Sequence, residues 1–303
     1  MDTIRQLASD RQGKRLELYF CGVRGSTPAP GEAFVRYGGH TSCVALAQDG
    51  GVPGLVLDGG TGLTNFDRVL GDAPFDGTIL LGHLHWDHTH GLPFFAAGML
   101  PGHRVQILMP GQGSDAESVL ARAFSPPHFP VEPRALGEGW SFGSIEEGVH
   151  GLEGFSVLAR EIPHKGGRTF GYRVSDGTNA IAYFSDHHPL VLGPGPAGLG
   201  ELHPAAVELA SGVDLLIHDA QYTAEELPRL AWLGHSCPEY ALALAEAAGA
   251  RQVCLFHHSP RRTDSEIDEL VDRIPDGPVP ILVAADGLTV RLGGQNRHPT
   301  RPI

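Results

Sequence analysis

Residues 82–91 read GHLHWDHTHG, four histidines and one aspartate directly after the apolar run TILL at 78–81. His83 and His85 are two apart, so an extended segment points both rings to one side. Asp87 and His88 follow at a tight turn and can face a second point a few ångströms away. The spacing H-x-H-x-D-H therefore suits two adjacent divalent metals. A lone histidine after a buried strand would ordinarily be a satisfied polar turn. That reading does not account for so many ligand-type side chains at this spacing. His90 fits no position in the scheme and is assigned to the surface in preference to a place behind the ligands.

Working outward, the same residue types recur at the ends of other strand-like runs. FSVLAREIPH (155–164) ends in His164, NAIAYFSD (179–186) in Asp186, VDLLIHD (213–219) in Asp219, and QVCLFHH (252–258) in His257 and His258. Side chains at the ends of neighbouring strands converge in space even when they are far apart in sequence. Further strands are expected at RLELYFCGV (15–23), TSCVALA (41–47), GLVLDGG (54–60), RVQILMP (104–110) and TFGYRVS (169–175). Runs 41–47 and 54–60 read as a hairpin, as do 169–175 and 179–186. PILVAADGLTVRL (280–292) reads as a closing hairpin with an Asp-Gly turn. Helices are expected at LPFFAAGML (92–100), at SDAESVLARAF (114–124) with Ser114 or Asp115 as N-cap, at CPEYALALAEAAGA (237–250) and at SEIDELVDRI (265–274). The Pro- and Gly-rich stretch 125–144, with His128, Phe129 and Trp140, is read as an ordered loop or lid, with a plain surface connection as its rival, and 293–303 as a mobile tail. Interleaved helices with several hairpins argue for an α/β protein with two mixed sheets and outer helices, in one domain over 1–303.

The chain has 303 residues, 22 Lys plus Arg against 35 Asp plus Glu, and a net charge of −13. An acidic surface repels phosphate backbones, so long nucleic acid is disfavoured as a partner. A small anion is still admissible, because bound metal reverses the local sign of charge. The four cysteines form no C-x-x-C pair and read as buried free thiols. The N-terminus has no apolar signal-like region and no stretch approaches a membrane span, so a cytoplasmic protein with no membrane partner is expected.

HLHWDH (83–88) resembles the signature of the metallo-β-lactamase-fold hydrolases, and the resemblance runs from LVLDGG to LFHHSP. IPHKGGRTFGYRV (162–174), AYFSD (182–186), LIHDAQY (216–222) and GHSCPEYALALAEAAGARQVCLFHHSP (234–260) resemble the ribonuclease Z-like phosphodiesterase branch. The resemblance implies a four-layer αββα fold and a homodimer. It implies Asp58 as a brace of the metal loop, His164 as a ligand, Asp186 as a bridging carboxylate, His235 as the residue acting on the phosphate, and a strand-end histidine as the last ligand. His257 is preferred for that position, with His258 its rival. His187 and His188 are left unassigned. One metal would then be held by His83, His85, His164 and Asp186, the other by Asp87, His88, His257 and the same Asp186. Two divalent ions are implied, zinc or else manganese.

Such a centre suits phosphodiester hydrolysis through a metal-bridging hydroxide. His235 is expected to donate to the phosphoryl oxygen or to the leaving group, with Asp219 orienting it. Asp87 is both ligand and catalytic residue. A small cyclic phosphodiester, either a cyclic nucleotide or a ribosyl cyclic phosphate, fits the acidic charge best. A ribonuclease Z-like tRNA 3′-end endonuclease is the alternative, and an ester or lactone hydrolase of the same fold the second. A di-iron redox role is disfavoured by His85, where such relatives place a carboxylate. A non-catalytic binding module is disfavoured by the complete ligand set.

Overall fold

The computed structural model describes residues 14–293. All but the first residue of the expected tail, 293–303, lies outside them. Six strands come first: β1 (Leu16–Gly22), β2 (Cys43–Gln48), β3 (Leu55–Leu57), β4 (Asp76–Leu80), β5 (Arg104–Pro110) and β6 (Trp140–Ile145). Seven more follow: β7 (Gly148–Leu152), β8 (Phe155–Glu161), β9 (Phe170–Ser175), β10 (Ala180–Phe184), β11 (Leu215–Asp219), β12 (Val253–Phe256) and β13 (Ile281–Val283). The last, β14 (Thr289–Leu292), rejoins the first set, giving two seven-stranded sheets in the orders β14-β1-β2-β3-β4-β5-β6 and β13-β12-β11-β10-β9-β8-β7. Each sheet is antiparallel on one side and parallel on the other, with β3 to β6 parallel in the first and β10 to β13 parallel in the second.

Alternation along the strands builds three apolar layers, since successive side chains point to opposite faces. Leu55 and Leu57 face inward and join Val157, Tyr172, Tyr183 and Ile217 between the sheets. Val56 faces outward and meets Leu63 and Phe66 of the helix Leu63–Leu70. On the far side Ala182, Leu216 and Leu255 meet Leu209 and Leu244 of the helices Pro204–Ala210 and Pro238–Ala248. Helix, sheet, sheet, helix is the expected four-layer arrangement. The helix Pro238–Ala248 starts with proline in its first turn and stops at Gly249, which adopts φ 68° where a side chain would be strained. No helix among the described residues is long and apolar enough to cross a membrane. All four cysteines are free and buried.

The parallel halves matter most for the site. Parallel neighbours end at the same edge, so the segments leaving β3, β4, β10, β11 and β12 are gathered there. Those segments carry Asp58, His83, Asp186, Asp219 and His257.

Some expectations are corrected. PILVAADGLTVRL is no hairpin: β13 pairs in parallel with β12, and β14 pairs antiparallel with β1 in the other sheet. The chain crosses between sheets at the buried Ala284 and Ala285, and the Asp286 and Gly287 amides bond to the carbonyls of Tyr37 and Phe20. The stretch 125–144 is not loop throughout, because its end, from Trp140, is β6, anchored by the Trp140 indole donating to the Gly98 carbonyl at 2.7 Å. Phe129 packs against Phe94 and Phe124, and His128 is exposed. The helix at 92–100 is two 3₁₀ turns, Leu92–Phe94 and Ala96–Met99, parted by Phe95, which is extended and buried against Phe66 and Phe75. The helices Leu63–Leu70 and Pro204–Ala210 and the strand β7 were not anticipated.

Candidate metal centre

After β4 the chain stays extended to His85, then makes the single turn Trp86–Thr89. The extended part presents His83 and His85; the turn swings Asp87 and His88 inward, where both are buried. His83, His85, His164 and Asp186 form one group and Asp87, His88 and His257 a second, with the candidate ligand atoms of each within 4.8 Å of one another. A cation with ~2.0–2.2 Å bonds spaces opposite ligands by at most about 4.4 Å, so adjustments of tenths of an ångström suffice.

Asp186 joins the groups. Its Oδ2 lies 3.0 Å from Nε2 of His88 and 3.3 Å from Nε2 of His257, while its Oδ1 lies 3.5 Å from Nε2 of His164 and 4.0 Å from Nε2 of His83. Asp87 Oδ2 completes the second group at 3.0 Å from His257 and 3.2 Å from His88. His85 Nδ1 and His164 Nε2 face each other at 3.3 Å.

Surrounding groups hold these rings in place. Asp58 accepts from Nδ1 of His88, from the Tyr183 hydroxyl and from the Gly82 amide at 2.8, 2.7 and 2.8 Å. Nδ1 of His164 donates to the Gly234 carbonyl at 2.7 Å, which turns Nε2 to the centre. The Ser26 amide donates to Asp87 Oδ2 at 2.6 Å. A side chain on the preceding Gly25 would come within 2.3 Å of the His257 ring, so only glycine lets this loop approach. Asp219 accepts from the amides of Gln221, Ser236 and His187 at 3.0, 3.2 and 3.3 Å. It also accepts from Nδ1 of His235 at 3.1 Å.

Electrostatics follow from burial and these carboxylates. Burial pulls His83 and His85 below the ordinary imidazole value, and pulls His164 down to about 4. These rings are neutral at pH 7, the form that offers a lone pair. Burial also opposes charge on His88, but Asp87, Asp58 and Asp186 outweigh it and raise His88 well above its usual value. A proton there occupies ground that a metal cation would contest. The buried Nε2 atoms of His83 and His88 and both oxygens of Asp186 lack hydrogen-bond partners. Imidazoles and carboxylates left unsatisfied together fit one or more divalent cations. For His235, burial again opposes charge, but Asp219 and then Asp186 raise it to about 9.

The structure thus brings together all the ligand candidates named from sequence, with Asp219 and His235 beside them. His257 faces the centre, whereas His258 turns away and donates to the Ala284 carbonyl at 2.9 Å. His90 stacks on Trp86 at the surface, and His187 is buried against His218 at 3.0 Å. Sequence reasoning missed Tyr183, Ser26 and Gly234. Tyr183 looks like any core aromatic, and the other two contribute backbone groups or sit in a turn whose partner is distant in sequence.

The family description "Beta-lactamase superfamily domain" matches residues 66–258. A protein named ribonuclease Z from Brevibacillus brevis is 27% identical over 231 residues, covering 63% of this chain and 70% of its own. The metallo-beta-lactamase fold protein YhfI from Bacillus subtilis superposes with a TM-score of 0.68 at 16% identity, over 91% of this chain and 99% of its own. A structure described as a new diphosphatase from the PhnP family gives 0.66 at 19% identity, over 91% and 97%.

Proposed function

The chain belongs to the beta-lactamase superfamily and is a metal-site hydrolase of that superfamily, and from this we propose that it hydrolyses a small phosphodiester at a centre of two divalent ions. The observation that carries this reading is the division of Asp186, whose two oxygens face different histidine sets. A carboxylate so placed suits a bridge between cations. His83, His85 and His164 would hold one ion and Asp87, His88 and His257 the other, with zinc or manganese suited to the donor set. Bound there, such ions supply Lewis acidity and lower the pKa of water towards ~7.

The chain's own residues would do the following. Asp58 and the Gly234 carbonyl fix tautomers, so the nitrogens facing the centre remain basic. His235, protonated at neutral pH and held through Nδ1 by Asp219, keeps Nε2–H to donate to a departing alkoxide. Burial of Asp87, His88, Asp186, Asp219, His235 and His257 lowers the local dielectric, which strengthens the interactions among them. A cyclic nucleotide or ribosyl cyclic phosphate is the substrate favoured by the net charge of −13. A tRNA 3′-end endonuclease is the second reading, favoured by the similarity to a protein named ribonuclease Z.

Metal-reconstituted protein should release p-nitrophenolate from bis(p-nitrophenyl) phosphate. A panel of cyclic nucleotides and unprocessed tRNA then separates the two readings. No turnover with two ions bound would overturn both and turn attention to esters and lactones.

A further inference from the structure

Beside the centre lies a cavity of about 500 Å³ whose lining includes Ser26, Gln221, Tyr222, Leu233, Ser259 and Arg261. It shares walls with the centre. Ser26 is bonded to Asp87 through its amide, the amide of Gln221 bonds to Asp219, and the Tyr222 ring lies 5.7 Å from that of His235. Its lining mixes apolar side chains, Leu230 and Leu233, with the hydroxyl residues Ser26, Thr27 and Ser259.

The charges in this cavity are unevenly used. Arg262 is committed to Glu226 at 2.6 Å and to the Gln221 carbonyl at 3.0 Å. Glu266 is turned into the cap of the helix Asp264–Asp272, accepting from the amide and hydroxyl of Thr263 at 2.7 and 2.8 Å. Arg261 is exposed, and among the described residues its guanidinium pairs with no carboxylate. In a chain of net charge −13 an uncommitted arginine in such a wall is conspicuous. It stands four positions after His257, so its backbone lies within about 14 Å of that ligand candidate. Guanidinium presents a planar fork of donors matched to phosphate or carboxylate oxygens.

We propose that this cavity receives the non-scissile part of the substrate and that Arg261 binds a second anionic group on it. The substrate class is then a phosphodiester that bears a further phosphate or carboxylate. This rests on the phosphodiesterase reading above and adds to it a specificity-determining residue.

Two chromogenic esters that differ by one anion test it: thymidine 5′-(p-nitrophenyl phosphate) and the same compound with a 3′-phosphate. Both present the same scissile bond. The expected result is a kcat/KM about tenfold higher for the 3′-phosphorylated ester, a preference worth ~1.4 kcal/mol. The preference should fall to near unity in Arg261→Gln and be largely kept in Arg261→Lys. The ratio is the readout, so a general loss of activity does not imitate the effect. Equal kcat/KM values in the native protein, or an unchanged preference in Arg261→Gln, would overturn the assignment while leaving the phosphodiesterase reading standing. Failure of the metal-loaded protein to cleave either ester would overturn that reading, and this inference with it.

Discussion

Asp58 Oδ2 lies 2.8 Å from Nδ1 of His88, and neither residue is exposed to solvent. The pair reaches from the end of β3 into the turn that follows β4, and Tyr183 of β10 ties it to the opposite sheet. A carboxylate in this position fixes the imidazole tautomer and raises its basicity as a ligand. Asp58→Asn retains the size but not the charge. It should weaken binding of one of the two proposed ions by ~10–100-fold. Competition with a chromogenic chelator would measure this; two unchanged affinities would show that Asp58 serves only the loop.

Asp87 and Asp186 separate one-ion from two-ion schemes. Of the two ligand groups Asp87 belongs only to the second, through His88 and His257, so Asp87→Ala should lose about one equivalent of metal together with most turnover. Asp186→Ala touches both groups and should empty both. Metal analysis after gel filtration reads the difference. Full activity in Asp87→Ala would be incompatible with the two-ion centre.

His235→Ala should leave metal content intact and reduce kcat on the order of 10²-fold, the usual scale for losing a general acid. With its value raised to about 9, His235 is protonated below that pH and loses its proton above it, so its contribution disappears at alkaline pH. Asp219→Asn withdraws the leading carboxylate support and should move the alkaline limb of the kcat profile to lower pH. A limb that stays in place would exclude His235 as its source.

Asp286 predicts a pH dependence of stability away from the centre. Burial raises its carboxyl to about 7, against hydrogen bonds from backbone amides that pull the other way. Below about pH 4 both folded and unfolded chains hold the proton. Between about 4 and 7 the unfolded chain releases it and the folded chain keeps it, so stability falls as pH rises and levels off above 7. Asp286→Asn should remove this slope. Urea midpoints of the variant relative to the native protein should therefore rise between pH 5 and pH 7.5; a constant difference would contradict the assignment.

The fold was legible where one strand's own residues determine its environment. β4, β10, β11 and β12 are apolar runs ending in or just before a ligand-type residue, and the site could be read from those ends; the two mixed sheets were read from the interleaved helices and hairpins, and the four-layer order from the family resemblance. The misreadings have non-local causes. Asp286-Gly287 has the composition of a hairpin turn, yet its two flanking runs find partners in different sheets, and no local feature reports that. Trp140 begins a strand only because β5 offers it an edge and Gly98 a carbonyl. At the site, His257 and His258 are adjacent and chemically alike. The difference is made by a bond to Ala284, a residue in the inter-sheet crossing that the sequence presents as half of a hairpin.

That crossing also guards an edge. β14 covers β1 from Leu16 to Tyr19, and β1 is buried along nearly its whole length. A proteolytic nick ahead of Ala284 that released the last strand would bare a row of unpaired backbone groups flanked by leucine and phenylalanine. Such an edge is a template for a strand of another chain. Clipping there would therefore show itself as self-association, with the candidate metal ligands all still present on the clipped chain.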